Sequence, residues 1–213
     1  MPLRALVIDC AGPVVGVAGF ADGRCVGVYD ARIAAGADGW LTPHVASLLG
    51  RLGELDRVGV TVGPGAFTGV RVGVASALGL ARARGVDGVA VSSLALRACL
   101  VSGEARVLAV LDARKGKVYA GLFDTRGAVP VALGPERDVA PEVAFDTDPA
   151  VVVGEGAVAY ADAVARAGHR PTVDPARSPV AAAWPLLEAG EPVPVELVSL
   201  RYLREPDARP PVV

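Results

Sequence analysis

The chain is short of the residues from which metal and catalytic centres are most often built. It has two histidines, His44 and His169, and neither has a second histidine or a carboxylate at metal-ligand spacing. Its three cysteines, Cys10, Cys25 and Cys99, are odd in number, far apart and without a CxxC pair. That excludes a disulfide framework and a zinc ribbon, and leaves them as small hydrophobes of a reducing compartment. No Gly-x-Ser-x-Gly elbow and no Cys–His pairing is present. Nor is there a basic surplus: 21 Lys and Arg face 23 Asp and Glu, and only short groups such as Arg82/Arg84 and Arg114/Lys115/Lys117 break the scatter. A dedicated nucleic-acid binder is therefore disfavoured. No apolar run is long enough to span a bilayer, because Arg71 and Arg82 cut off the block from Val72 to Ala81, and Asp9 lies inside what would be a signal-peptide core. The expectation is a cytoplasmic chain with no membrane segment and no metal of its own.

What is abundant is apolar surface, at 52% of residues, together with 26 glycines and 17 prolines. A chain of 213 residues can bury one large core or two small ones. The stretch from residue 4 to 30 reads as an antiparallel meander of three strands, the first ending at Asp9. A helix follows, with Thr42 as N-cap, Pro43 in the first turn and Val45, Leu48, Leu49 and Leu52 on one face. Next come a strand, the glycine turn "VGPGAF", a helix to about Ala83, a short strand Val89–Val91 and a helix capped by Ser92 or Ser93.

The plan then restarts. "RVLAVLDARKGKVYAGLFDTRG" repeats the design of "RALVIDCAGPVVGVAGFADGR", with Asp112 matching Asp9 and Phe123 matching Phe20 at the same offset. Two lobes are predicted, residues 1–103 and a smaller 104–213, divided near Ser102–Arg106, with the tail packing back on the first lobe. Residues 131–150 read as loop-rich, 151–156 as a strand and glycine turn, 157–168 as a helix closed by Gly168, and 178–190 as a helix that Pro185 bends or breaks. Tandem βββαβα lobes, each opening with a hairpin that ends in Asp, describe a two-lobed actin/Hsp70-like α/β fold built from duplicated RNase H-like units.

In the ATPases of that architecture, each first hairpin holds phosphate with an Asp-x-Gly-Thr/Ser turn. Here the turns are "DCAGP" and "DARKG", which keep the Asp but lack the hydroxyl, and the first places a proline where N–H donors are needed. The turn Gly63-Pro64-Gly65 lacks the Lys and Ser/Thr of a phosphate loop and reads as a tight strand-to-helix turn with positive φ. The helix behind it is apolar nearly all round. Gly69, Gly73, Ala77 and Ala81 form one smooth stripe and Ala75, Gly79 and Ala83 a second. Either the helix is central to one lobe or it packs against another subunit, and the smooth stripes favour the second reading.

The stretch "LDRVGVTVGPGAFTGVRVGVASALGLARARGVDGVAVSSLALRA" closely resembles the signature region of the bacterial TsaB (YeaZ) family. "HVASLL", "LDARKGKVYAGLF" and "YLREPDA" fit the same family. The resemblance implies a subunit without catalysis of its own in the machinery that makes N6-threonylcarbamoyladenosine at position 37 of tRNA. It implies a homodimer when alone, a heterodimer with the catalytic paralogue TsaD, and the ATPase TsaE joining that complex. ATP and metal would reside on those partners, and tRNA would be met only through the complex. The family's contact region maps onto His44, Leu48, Gly69, Val70, Val72, Gly73, Ala75, Ser76, Ala77 and Leu80. The His-x-x-x-His metal pair of the paralogue is absent from this sequence. The alternative is an enzyme of the same superfamily, a small ATP-dependent phosphotransferase or a metalloprotease-like hydrolase.

Overall fold

A computed structural model of the chain describes residues 3–33, 36–172 and 178–204. The first lobe opens with β1 (Arg4–Asp9), β2 (Val14–Ala21) and β3 (Arg24–Arg32), an antiparallel meander in which Val7 faces Ala18 and Asp9 faces Gly16. There follow α1 (Ala37–Leu52), β4 (Arg57–Gly63), α2 (Phe67–Arg84), β5 (Asp87–Ser92) and α3 (Ser93–Ala98). The strand order is β3-β2-β1-β4-β5, with β4 and β5 added parallel to β1. β1 and β4 are therefore internal, and all six residues from Val58 to Gly63 are buried, which is why their sequences read as unbroken apolar runs.

The second lobe repeats the plan with shorter parts. β6 (Val107–Arg114) and β7 (Lys117–Asp124) form its hairpin, followed by β8 (Val131–Ala132), β9 (Arg137–Val139), α4 (Pro141–Ala144), β10 (Val151–Val153), α5 (Glu155–Ala159), α6 (Ala161–Arg166) and β11 (Arg170–Pro171). Its sheet runs β11-β10-β6-β7-β8, with β9 also pairing β7, so β6 takes the central place that β1 has in the first lobe. The chain then turns back. A 3-10 turn at Pro179–Ala182 and α7 (Trp184–Ala189) bring Val180 and Leu187 onto the first sheet beside Val7, Phe20 and Val89. Both sheets thus follow the duplicated RNase H-like architecture.

The two lobes share α3 as a common wall. Leu96 packs into the core under the first sheet, while Leu94 and Ala98 pack against Val107, Ala109 and Phe123 of the second. Each such leucine, fully buried, contributes about 1.5–3 kcal/mol. Ser92 starts this short helix by accepting from the backbone N–H groups of Leu94 and Ala95, both at 3.2 Å.

Several boundaries differ from those the sequence predicts. α1 starts at Ala37, so Pro43 lies inside the helix and Thr42 is no cap; its hydroxyl instead donates to the Asp38 carbonyl at 3.1 Å. The predicted helix over 157–168 is two short ones broken at Tyr160, and the 178–190 segment is split at Ala183 before Pro185. The loop-rich stretch holds β8, β9 and α4, too short to leave a periodic signature. No helix among the described residues is long and apolar enough to cross a membrane.

Candidate functional site

Ligands of open α/β sheets bind beyond the carboxyl ends of the strands. At the end of β1, Asp9 is wholly buried; its Oδ1 accepts from the Ala11 N–H at 3.0 Å and from Thr61 Oγ1 at 2.8 Å. Its Oδ2 lies 3.4 Å from Arg97 Nη1, close enough for an ion pair, but the geometry makes no hydrogen bond. Arg97, from α3, is 1% exposed and is held bidentately by Glu155 of α5, with Nε to Oε2 at 2.7 Å and Nη2 to Oε1 at 2.8 Å. Its Nη1 also donates to the Ser93 carbonyl at 2.9 Å. Burial works to raise the Glu155 pKa, but the Arg97 charge and hydrogen bonds outweigh it and hold the carboxylate below its usual range. One arginine therefore pairs with a carboxylate from each lobe.

This triad fills the space beside the first hairpin turn. A Cβ on Gly12 would overlap Glu155 and press on Arg97 Nη2. Asp9 is the residue that a phosphate-binding hairpin would offer to a metal, and its charge is met here by a guanidinium fixed from behind. Arg97 is a residue that sequence reading passed over. Its signal was a lone charge in the apolar run "SLALRACL", since an arginine inside such a run must be buried and paired.

The glycine turn lies against the same hairpin. Gly63 has φ 118° and begins a cis peptide to Pro64; a side chain on it would strike the Arg201 carbonyl oxygen. Gly65 does not have positive φ, contrary to expectation. It is glycine because a Cβ would come within 2.5 Å of the Ala11 carbonyl oxygen, and the next residue, Ala66, donates its N–H to that same oxygen at 2.8 Å. Gly69, one turn on, has its open side against the Cys10 carbonyl, and a Cβ on Gly73 would come to 3.3 Å from the Cys10 side chain.

These contacts correct the predicted contact face. The stripe Gly69, Gly73, Ala77 and Ala81 is turned toward β1, and Val70 and Val74 are buried with it. Leu48 is likewise wholly buried in the core under α1. Leu48, Val70, Gly73, Ala77 and Ala81 are buried and Gly69 half-buried, so in this chain the smooth stripe serves close approach to the lobe's own sheet. The face of α2 that remains open carries Thr68, Arg71, Ala75, Gly79, Arg82 and Ala83, with Val72, Ser76 and Leu80 half-exposed along its borders. Nothing lies within 4 Å of the place a Gly79 Cβ would occupy. His44, half-exposed on the neighbouring α1, stacks on Trp40 at 4.3 Å and packs against Tyr29 at 4.7 Å, and its Nδ1 lies 2.7 Å from the Trp40 carbonyl oxygen.

At the start of α2, Arg71 lies over the Phe67 ring at 3.7 Å and its Nε donates to Tyr202 Oη at 2.9 Å. Phe67 and Tyr202 are both more than 40% exposed, so this aromatic–cation group continues the open face of α2. Tyr202 belongs to a carboxy-terminal strap. The Arg201 N–H donates to the Val62 carbonyl at 2.8 Å, the Arg201 guanidinium reaches Glu136 at 3.2 Å, and Arg204 grips Asp138 at 2.7 and 3.0 Å. The strap thus ties the end of β4 to the second lobe. The remainder of the "YLREPDA" motif, from residue 205 on, lies outside the described residues. Among the described residues no three His, Cys, Asp or Glu side chains converge as metal ligands.

Residues 40–167 match the family described as TsaD, tRNA N6-adenosine threonylcarbamoyltransferase. The chain is 36% identical over 214 residues to an uncharacterized protein of Mycobacterium tuberculosis, covering 96% of this chain and 93% of that one. It is 35% identical to the tRNA threonylcarbamoyladenosine biosynthesis protein TsaB of Escherichia coli, over 55% of this chain and 53% of that protein. The solved structure of YeaZ from Pseudomonas aeruginosa superposes with a TM-score of 0.79 at 28% identity, covering 94% of this chain and all of that one. The signature stretch through the glycine turn and α2, the duplicated fold and these likenesses agree, and the chain belongs to the TsaB (YeaZ) family.

Proposed function

We propose that this chain takes part in forming N6-threonylcarbamoyladenosine at position 37 of tRNA as an accessory subunit with no catalysis of its own. In this reading it presents the open face of α2 to a TsaD-like catalytic paralogue, which a TsaE-like ATPase joins, and to a second copy of itself when alone. Nucleotide and metal belong to those partners, and tRNA reaches the chain through the complex.

The observation that carries this reading is the filled cleft. Arg97 is 1% exposed and paired to both Asp9 and Glu155 in the place where an ATP-using relative would need an open, metal-binding carboxylate. That weighs against the alternative of a phosphotransferase or hydrolase. The uncovered Ala75, Gly79 and Ala83 stripe supports partner contact, since small side chains let a second helix approach closely and Gly79 has nothing to pack on in this chain.

The test is Ala75→Glu combined with Gly79→Glu, both exposed positions that leave the core intact. Co-purification with a TsaD-like protein and light scattering of the free chain should both show loss of association, with an unchanged melting temperature. A strain carrying the variant as its sole copy should lose the modified nucleoside from its tRNA. Undiminished association by the folded variant would remove the α2 face from the reading. Saturable micromolar ATP binding that depends on Asp9 would restore the enzyme alternative.

A further inference from the structure

The β6–β7 turn carries positive charge for which neither the filled cleft nor the α2 face has a use. Its pairing ends with Arg114 opposite Lys117, after a register shift that follows Asp112. Arg114, Lys115 and Gly116 have φ of 60°, 52° and 71°, and Asp112 Oδ1 accepts from the Arg114 N–H at 2.8 Å. Two consecutive loop residues with positive φ make the tight hairpin turn that matches strand twist, so the turn is rigid and the exposed Arg114, Lys115 and Lys117 side chains start from a fixed platform.

More cations adjoin it. Arg204 reaches the Ala113 carbonyl and shares Asp138 with Lys117, and Arg201 bonds to Glu136. Arg137, exposed, lies between those two carboxylates in β9. Arg114, Lys115, Lys117, Arg201 and Arg204 thus stand round three carboxylates, with Arg137 exposed on the neighbouring strand, and the Glu136 and Asp138 side chains are only 5% and 8% exposed. The outward charge is positive on a chain whose net charge is −2. The turn itself carries no exposed apolar anchor: Leu111, Ala113 and Val118 are buried and Tyr119 is half-buried, while the exposed Tyr202 of the strap is turned to Phe67 and Arg71 at the start of α2.

We infer that this basic lip binds the sugar–phosphate backbone of RNA. The inference rests on the reading that the pathway substrate is a tRNA, and it adds direct contact by this chain. Cations on a rigid turn with no central aromatic or aliphatic anchor fit a row of phosphates. A protein partner would be held by such an anchor.

The experiment titrates the full chain against an unmodified tRNA transcript by fluorescence anisotropy between 50 and 200 mM KCl. Association with a TsaD-like protein is measured in parallel. The unaltered chain should bind with an affinity that falls steeply with salt. Arg114→Glu/Lys115→Glu/Lys117→Glu should bind at least about tenfold more weakly at the lowest salt, with a log–log salt slope shallower by about 2 to 3, near one for each phosphate contact removed. The triple Gln variant should fall between, and both variants should keep their melting temperature and partner association. Equal tRNA affinity for the unaltered and charge-reversed chains would overturn the inference, as would the absence of salt-dependent binding. Tighter binding of poly-glutamate than of tRNA would also overturn it, by marking the lip as a site for acidic protein. Binding of tRNA by a chain that fails to associate with the TsaD-like protein would uphold the lip and overturn the accessory-subunit reading.

Discussion

Arg97 is the residue on which most depends. Its guanidinium is buried between the lobes and is paired to both Asp9 and Glu155, so removing it leaves two buried carboxylates without the ion-pair partner they share. Arg97→Ala should lower the unfolding free energy by about 3–5 kcal/mol, read from urea denaturation. Glu155 adds a pH dependence. Its folded pKa is depressed against the tendency of burial, so its stabilising effect is complete above the unfolded carboxylate range near about 4.3 and is lost as pH falls through the folded value. The stability difference between the unaltered chain and Glu155→Gln should accordingly be constant above about pH 5 and shrink below about pH 4. Glycines on opposite sides of α2 should respond in opposite directions. Gly69→Ala would push a methyl into the Cys10 carbonyl and destabilise by about 1–3 kcal/mol. Gly79→Ala meets nothing and should stabilise the helix by about 0.5–1 kcal/mol. Thermal unfolding of the two variants separates the inward stripe from the outward one.

At the scale of elements, what could be read in the sequence was what repeats or runs long. β1, β4, α2 and the two hairpins were visible because buried strands give unbroken apolar runs and because Asp9 and Asp112 open equivalent units. The inward direction of Gly69 and Gly73 was not visible, because a small-residue stripe looks the same whether it meets a foreign helix or its own sheet. Only the Cys10 backbone, brought there by the hairpin, decides between them. The start of α1 was hidden by Pro43, which resembles a first-turn proline but lies in the seventh helical position. With no N–H to donate, it leaves the Gly39 carbonyl without its helical partner. Pro43→Ala should therefore raise stability, by about 1–3 kcal/mol in urea melts. The Arg97–Glu155 pair was the least legible part of the site, since it joins residues 58 positions apart through a contact that no local pattern encodes.

For the whole molecule, the decisive arrangement is that the chain's last described segment belongs to its first lobe. Val180 and Leu187 cover the face of the first sheet that α1 and α2 leave open, and Arg201 and Arg204 tether that lobe to the second. Replacing both strap arginines by serine should raise amide hydrogen exchange at the end of β4 and in the β6–β7 turn, while the α1–α2 side keeps its protection. The same return path bears on synthesis. Arg57 waits for the Leu187 carbonyl, 130 positions later, to which it donates at 2.7 Å. At about 5–20 residues per second, the ribosome takes on the order of ten seconds to supply that cover. During that interval Val7, Phe20 and Val89 present an apolar sheet face covered only in part, by Leu96 of α3. A nascent chain halted before residue 178 should be a chaperone client, and the first lobe becomes complete only after the second has been made.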